Sequence, residues 1–325
     1  MAVRAGSTLA SLASARPVAI ALMVAATAAG CAQTSRRSPS AVAASSLPST
    51  TAPAPSTSQA TAPPTTAPAP PTTAPDPASA RLQAVVDGFA ARQAVPFSVL
   101  AVDRASGARA SRLAGRQVLS ASLYKLFVAR ELLRRVYAGS LDRGAPANDG
   151  AGRTVGECIR AMIVVSDDPC GRAGLRAVGL GALDHGLAAE GYVHTSLASP
   201  QRTSASDVGL FLLRARDNTL LGPAGGAATS ELYGLLAHQQ VIDRLPVGLP
   251  PGTPIAHKTG DRLHWAHDAG IVTTPRGELL LVVMTGPWPL PCCDADHPGP
   301  AERTAFGAIA ELGRRVYATV APPRP

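Results

Sequence analysis

Apolar positions along residues 79 to 317 switch repeatedly between a helical period and a strand period, and the switches outline a folded domain. SARLQAVVDGFAARQA, residues 79 to 94, has apolar residues at helical spacing and predicts an opening helix. PFSVLAVDRASGARASRLAG, beginning at Pro96, alternates as a strand, a Ser-Gly turn and a second strand. Residues 122 to 138 are helical in pattern and apolar almost all round, with Gly139 just past the end. A helix apolar on every face is a buried one. In TVGECIRAMIVV, Thr154 and Glu157 make a capping-box pattern, and Val155, Cys158, Ile159 and Met162 share one face. Pro169 is expected to stop that helix. Two or three more helices are expected between about 171 and 240. The chain then returns to strands in TPIAHKTG, AHDAGIVTTP and ELLLVVMTG, and closes with an amphipathic helix over 301 to 317. Strands and helices at both ends, enclosing a helical insert, predict an α/β (α+β) fold: a mixed lobe beside an all-helical one.

The first 78 residues follow neither period. Arg4 and Arg16 precede the apolar run VAIALMVAATAAG, which is too short to span a bilayer and ends in small residues before Cys31. That is the layout of a secretory signal over residues 1 to 30. AAGC resembles the lipobox of bacterial lipoproteins, which implies a lipidated Cys31 and a membrane anchor, although Ala28 stands where Leu is commoner. From Ser38 to Pro75 no charged residue occurs, and Ala, Pro, Ser and Thr make up nearly everything. Such a segment buries too little apolar surface to fold, and its prolines favour an extended chain. At ~3.1 Å per residue it reaches up to about 120 Å, as a tether would. The expected division is therefore a signal over 1–30, a tether over 31–78 and a folded domain over 79–320. The expected location is outside the cytoplasm, at the membrane.

Charge and cysteine usage narrow the classes. Without Arg4, Arg16, Arg36 and Arg37, the domain carries twenty-four arginines and two lysines against twenty-two acids, a net +4. No concentrated basic stripe stands out, so nucleic acid is not an expected partner. Cys158, Cys170, Cys292 and Cys293 remain with the domain, and an even number in an exported chain invites disulfides. Cys292 or Cys293 pairing with Cys158 or Cys170 is one expectation, although spacing alone does not assign partners. Cys-x-x-Cys spacing with histidines is absent, so neither a metal nor another cofactor is expected.

Lysine usage is the sharpest chemical signal. The chain has only two lysines, Lys125 in SASLYKLF and Lys258 in HKTGD. Arginine keeps its proton in proteins, whereas a buried lysine can lose it and act as a base. Ser122 lies three residues before Lys125, so the hydroxyl and amine are neighbours on one helix face. A lysine desolvated on so apolar a helix needs a partner and can take the serine proton. Ser166-Asp167-Asp168 follows at a helix end, and Lys258-Thr259-Gly260 at the end of a strand. His257 and His267 read as structural, and His264-Trp265 as a rim or loop pair.

Ser-x-x-Lys, Ser-Asp-x and Lys-Thr-Gly, in that order, resemble the signature of class A β-lactamases and penicillin-binding proteins, and the resemblance covers nearly all of residues 79 to 317. It implies an antiparallel sheet with flanking helices plus an all-helical lobe. It also implies roles: Ser122 as acylated nucleophile, Lys125 as its base, and Ser166 as proton donor toward the leaving nitrogen. Lys258, Thr259 and Gly260 would hold the substrate, and backbone N–H groups of Ser122 and Asp261 would form an oxyanion hole. A β-lactam or a peptidoglycan stem peptide is the implied substrate, no cofactor is needed, and a monomer is expected.

Three departures qualify the resemblance. Asp168 stands where the family has Asn, so a carboxylate that only accepts replaces an amide that donates to substrate. Asp261 puts a carboxylate where a small residue is usual. The interval before TSASD is short, and its only Glu is Glu190, with no Glu-x-x-Leu-Asn pattern. Acylation with slow hydrolysis is therefore expected. A D-Ala-D-Ala peptidase or transpeptidase, or a catalytically silent peptidoglycan-binding lipoprotein, are the competing expectations.

Overall fold

The computed structural model of the protein describes residues 76–292 and 301–322. The signal-like run, Cys31, nearly all of the tether and Cys293 lie outside these residues. Asp76 opens the described chain by capping α1 (Pro77–Ala90): its carboxylate accepts from the N–H groups of Ala78 and Ser79, and Pro77 occupies the first turn. The strands β1 (Phe97–Asp103), β2 (Arg109–Arg112), β5 (Ile255–Arg262), β6 (Trp265–Thr274) and β7 (Gly277–Thr285) form one antiparallel sheet in the order β2-β1-β7-β6-β5. A two-residue pair, β3 (Val118–Leu119) with β4 (Arg202–Thr203), lies apart from it.

Side-chain alternation gives this sheet two buried faces. Phe97, Val99, Ala101, Leu279, Leu281 and Val283 pack with α1 and the last helix, α9 (Glu302–Val320). Leu100, Val102, Leu280, Val282 and Met284 face the helical lobe. Burial on both faces explains why β1 and β7 read as nearly unbroken apolar runs. β5 closes the order, and its outer edge has no strand partner among the described residues.

The helical lobe is built around α2 (Tyr124–Tyr137), preceded by a 3-10 turn at Ala121–Leu123. Every residue from Tyr124 to Leu133 is buried, as the all-round apolar pattern predicts. Gly139 follows at φ 71°, the left-handed position that ends many helices. The Thr154/Glu157 capping box opens α3 (Val155–Val164) as expected. Pro169 plays a different part from the one expected. α3 already ends at Val164, and Pro169 sits in the first turn of α4 (Asp168–Val178), where a missing N–H costs nothing. Helices α5 (Leu180–Ala189), α6 (Ala205–Arg216) and α7 (Gly226–Ala237) complete the lobe, so four helices fill the interval for which two or three were expected. A short α8 (Leu245–Gly248) leads into β5. Among the described residues no helix is long and apolar enough to cross a membrane.

Cys158 on α3 and Cys170 on α4 form a disulfide, which corrects the expected pairing of either with Cys292 or Cys293. Cys292 is itself disulfide-bonded. Close contact between α4 and α2 depends on glycine: a methyl group at Gly174 would stand 2.6 Å from Val128 Cγ1.

Two stability predictions follow from this packing. Replacing Cys158 and Cys170 together by Ser lowers unfolding free energy by about 3 kcal/mol, the loop-entropy value for a ring of this size. Gly174→Ala forces α4 off α2 and costs about 1–3 kcal/mol. Denaturant titration of the domain checks both, and unchanged midpoints would contradict the packing described.

Candidate active site

The three sequence segments singled out for chemistry converge at the seam between the sheet and the helical lobe. Ser122 lies in the 3-10 turn that feeds α2, where N–H groups have no acceptor earlier in the helix. It is 8% exposed, whereas Lys125, one turn on, is fully buried. The Lys125 amine is 2.9 Å from Ser122 Oγ, 2.5 Å from the Ser166 carbonyl oxygen and 2.5 Å from Asp168 Oδ1. Its fourth neighbour, Ser166 Oγ, is at 3.4 Å. Burial pushes this amine below the ordinary lysine value, against the pull of the Asp168 carboxylate.

Ser166 owes its place to the backbone between α3 and α4. Its φ of 59° is left-handed, a costly conformation for a residue with a Cβ. The turn is held on its far side by Asp167, which caps α4 by accepting from the Cys170 N–H and takes a forked pair of bonds from Arg153 at 2.9 and 3.0 Å. Arg153 also bonds Asp149. Ala121, just before Ser122, is left-handed too, at φ 45°. Both hydroxyls of the site thus sit at or beside strained backbone.

Lys258 arrives from β5. Strand register pairs it with Ala269, which places it on the face toward the helical lobe. Its amine is completely buried and donates to Ser166 Oγ at 2.8 Å and to the Thr259 carbonyl at 2.8 Å. Burial, reinforced by the neighbouring Lys125 charge, holds it well below the ordinary value. Ser166 Oγ therefore stands between two amines. Gly260 allows β5 to approach the Ser122 turn. A methyl group there would meet Leu123 Cγ, Leu123 N and the Ser120 carbonyl oxygen at 3.1–3.2 Å.

Thr259 and Asp261 alternate to the opposite face. Thr259 Oγ1 is buried with no hydrogen-bond partner in the structure. Asp261 Oδ1 accepts from Arg244 Nη2 at 2.8 Å. Arg244 precedes α8, is 1% exposed, donates also to the His267 carbonyl at 3.1 Å, and lies 3.9 Å above the Phe306 ring. Burial raises the Asp261 carboxyl, but Arg244, then Lys258 and Lys125, more than offset this and leave it below its usual value.

Glu190 is engaged elsewhere: both its oxygens accept from Arg130 Nη2, at 2.6 and 2.7 Å. His257 and His267 are buried and structural, as expected. His257 Nδ1 pairs with Asp268 Oδ1 at 2.9 Å, and burial pushes His267 down to about 4, so that its neutral ring bridges to the Leu119 carbonyl. His264 anchors to the Trp288 carbonyl. Arg244 and Arg153 escaped the sequence reading, because neither lies in a recognisable pattern and tertiary approach alone brings them to the site.

Comparison with known proteins agrees with this architecture. Among solved structures, PBP-A is 20% identical with a TM-score of 0.64, covering 76% of this chain and 97% of its own. A mutant of PBP-A captured as an acyl-enzyme with penicillin G gives the same identity and TM-score over 73% and 95%. A β-lactamase from Xanthomonas campestris pv. campestris is 19% identical, with a TM-score of 0.64 over 75% of this chain and 99% of that one. An ancestral class A β-lactamase reaches 24% and 0.57 over 72% and 98%. At these identities the likenesses speak for the fold alone. No curated protein sequence matches the chain. The model of the beta-lactamase enzyme family matches residues 77–320, the whole extent of the two lobes and of the seam where both lysines meet Ser122 and Ser166, and to that family this chain belongs.

Proposed function

We propose that the protein is an exported, lipid-anchored serine acyl-transfer enzyme that β-lactams acylate at Ser122 and that releases the acyl group slowly. The observation that carries this reading is the Lys125 amine, buried and 2.9 Å from Ser122 Oγ. In its neutral form the amine keeps two N–H bonds, to the Ser166 carbonyl and Asp168, and turns its lone pair to the serine hydroxyl. Ser122 Oγ then attacks the lactam carbonyl as its proton passes to Lys125, and an O–C bond forms. The developing oxyanion lies between the N–H groups of Ser122 and Asp261. When the C–N bond breaks, the nitrogen takes the Ser166 proton, and Lys125 resupplies Ser166 across the 3.4 Å contact. Lys258, 2.8 Å from Ser166 Oγ, orients that hydroxyl.

Slow release is supported by what the carboxylates do. Arg130 holds both oxygens of Glu190 and Lys125 holds Asp168 Oδ1, so both carboxylates are committed to ion pairs. Export is supported by the Cys158–Cys170 disulfide, since such bonds persist in oxidising compartments. The lipid anchor at Cys31 rests on the AAGC pattern. A peptidase acting on D-Ala-D-Ala stems would use the same groups.

Intact-mass spectrometry of the domain with benzylpenicillin, sampled from seconds to hours, tests the reading. A mass gain equal to the whole drug is expected, persistent in the native chain and absent in Ser122→Ala; Lys125→Ala slows it at least about a hundredfold. Rapid drug consumption without accumulated adduct would contradict slow release. Absence of both adduct and consumption would leave a stem-peptide or silent binding role.

The pH dependence is also fixed in sign. Asp168 favours the protonated form of Lys125, and acylation needs the neutral form, so the rate rises as pH climbs through the Lys125 pKa. Asp168→Asn removes that pull and moves the rising limb to lower pH. A limb that stays in place or moves upward in a pH–rate profile would contradict this role of Asp168.

A further inference from the structure

Resting on the acylation reading above, we infer that Arg153 is a positioning residue that sets how readily Ser166 gives its proton to the leaving nitrogen, and that takes no part in the attack by Ser122. Asp167 makes the connection. Its two chain neighbours both touch the Lys125 amine, Ser166 through its carbonyl oxygen and Asp168 through Oδ1. Its own side chain goes the other way, to the Arg153 fork. There Nη2 donates to Oδ1 at 2.9 Å and Nη1 to Oδ2 at 3.0 Å. The Ser166 hydroxyl therefore stands on a turn whose outer side is held by Arg153.

Arg153 is itself fixed. Its Nε donates to Asp149 Oδ2 at 2.5 Å. Its carbonyl accepts from the Ala147 N–H at 2.8 Å, and the next residue, Thr154, caps α3. A planar guanidinium held at three nitrogens pins both the position and the tilt of the Asp167 carboxylate, which an ammonium would not do. Ser166 needs such a restraint, because its φ of 59° is left-handed and relaxes once the restraint is gone. Its hydroxyl has little slack: Lys258 lies at 2.8 Å, and Lys125, which resupplies the proton, at 3.4 Å. Ser122 and Lys125, by contrast, are three residues apart on one helical stretch, and their 2.9 Å contact does not pass through Asp167.

The consequence depends on the leaving group. In a β-lactam the C–N bond breaks as the nitrogen takes the Ser166 proton. In an aryl thioester the Ser122 Oγ–C bond forms, the C–S bond breaks, and thiophenolate departs with the electron pair. The Ser122 proton then stays on Lys125, and none is needed from Ser166. Benzylpenicillin and the S-phenyl thioester of phenylacetylglycine share a phenylacetamido group and differ in this step. The ratio of their acylation rates, lactam over thioester, therefore isolates proton delivery. A variant that merely loses folded protein lowers both rates together and leaves the ratio unchanged.

In Arg153→Ala the ratio is expected to fall about tenfold to a hundredfold. Arg153→Lys keeps a charge beside Asp149 and Asp167 but not the fork, and lowers the ratio at least about threefold. Intact-mass time courses of both compounds supply the rates, with thermal melting to confirm that each variant is folded. If both compounds acylate Ser122 and the ratio keeps its native value in both folded variants, the inference falls while the acylation reading stands. If neither compound adds an acyl group to Ser122 of the native chain, the acylation reading falls and this inference with it.

Discussion

Burying two amines within one seam is the constraint on which the rest of the molecule depends. An amine removed from water is tolerated only when its donors are used or its proton is given up. Lys125 meets the condition with Ser122, the Ser166 carbonyl and Asp168; Lys258 meets it with Ser166 and its own strand. Leaving a buried donor without its acceptor costs about 1–3 kcal/mol, a large fraction of the margin by which domains are stable. The left-handed turn at Ser166, the disulfide behind it and the Arg153 clamp on Asp167 are the devices that keep those partners in place. Chemistry and folding therefore share the same atoms.

The two lobes contribute unequally. The nucleophile and its base sit on one continuous helical stretch, so their 2.9 Å contact is set locally. The contact between Lys258 and Ser166, by contrast, joins residues 92 positions apart and spans the seam. Gly260 is what permits the approach, since any side chain there would push against the Ser122 turn. The reactivity of Ser122 is thus a property of α2, whereas delivery of the leaving-group proton is a property of how sheet and helices meet.

Much of this was readable from the chain because strong periodicity and scarce residue types coincide. The three terminal strands are marked by apolar runs such as Leu279 to Met284, and the Thr154/Glu157 cap announces α3 outright. The lysines stood out against an arginine background, and their positions led to Ser122 and Ser166. Where the reading stopped, the cause was long-range geometry. α4 and α5 are short and nearly continuous, separated only by Gly179, so their number was undercounted. Pro169 is equally compatible with ending one helix and starting another, and only the Asp167 cap decides between them. The Cys158–Cys170 bond and the reach of Arg244 to Asp261 depend on packing angles that no local pattern encodes.

The complete burial of both lysines has a consequence for chemical handling of the protein. The chain has no other lysine, and Lys125 and Lys258 are each 0% exposed. Reagents that couple to surface lysines will find no side-chain amine on the closed domain. Side-chain amine coupling would therefore register only molecules in which the seam has opened, so the rate of such labelling becomes a clock for the separation of the two lobes.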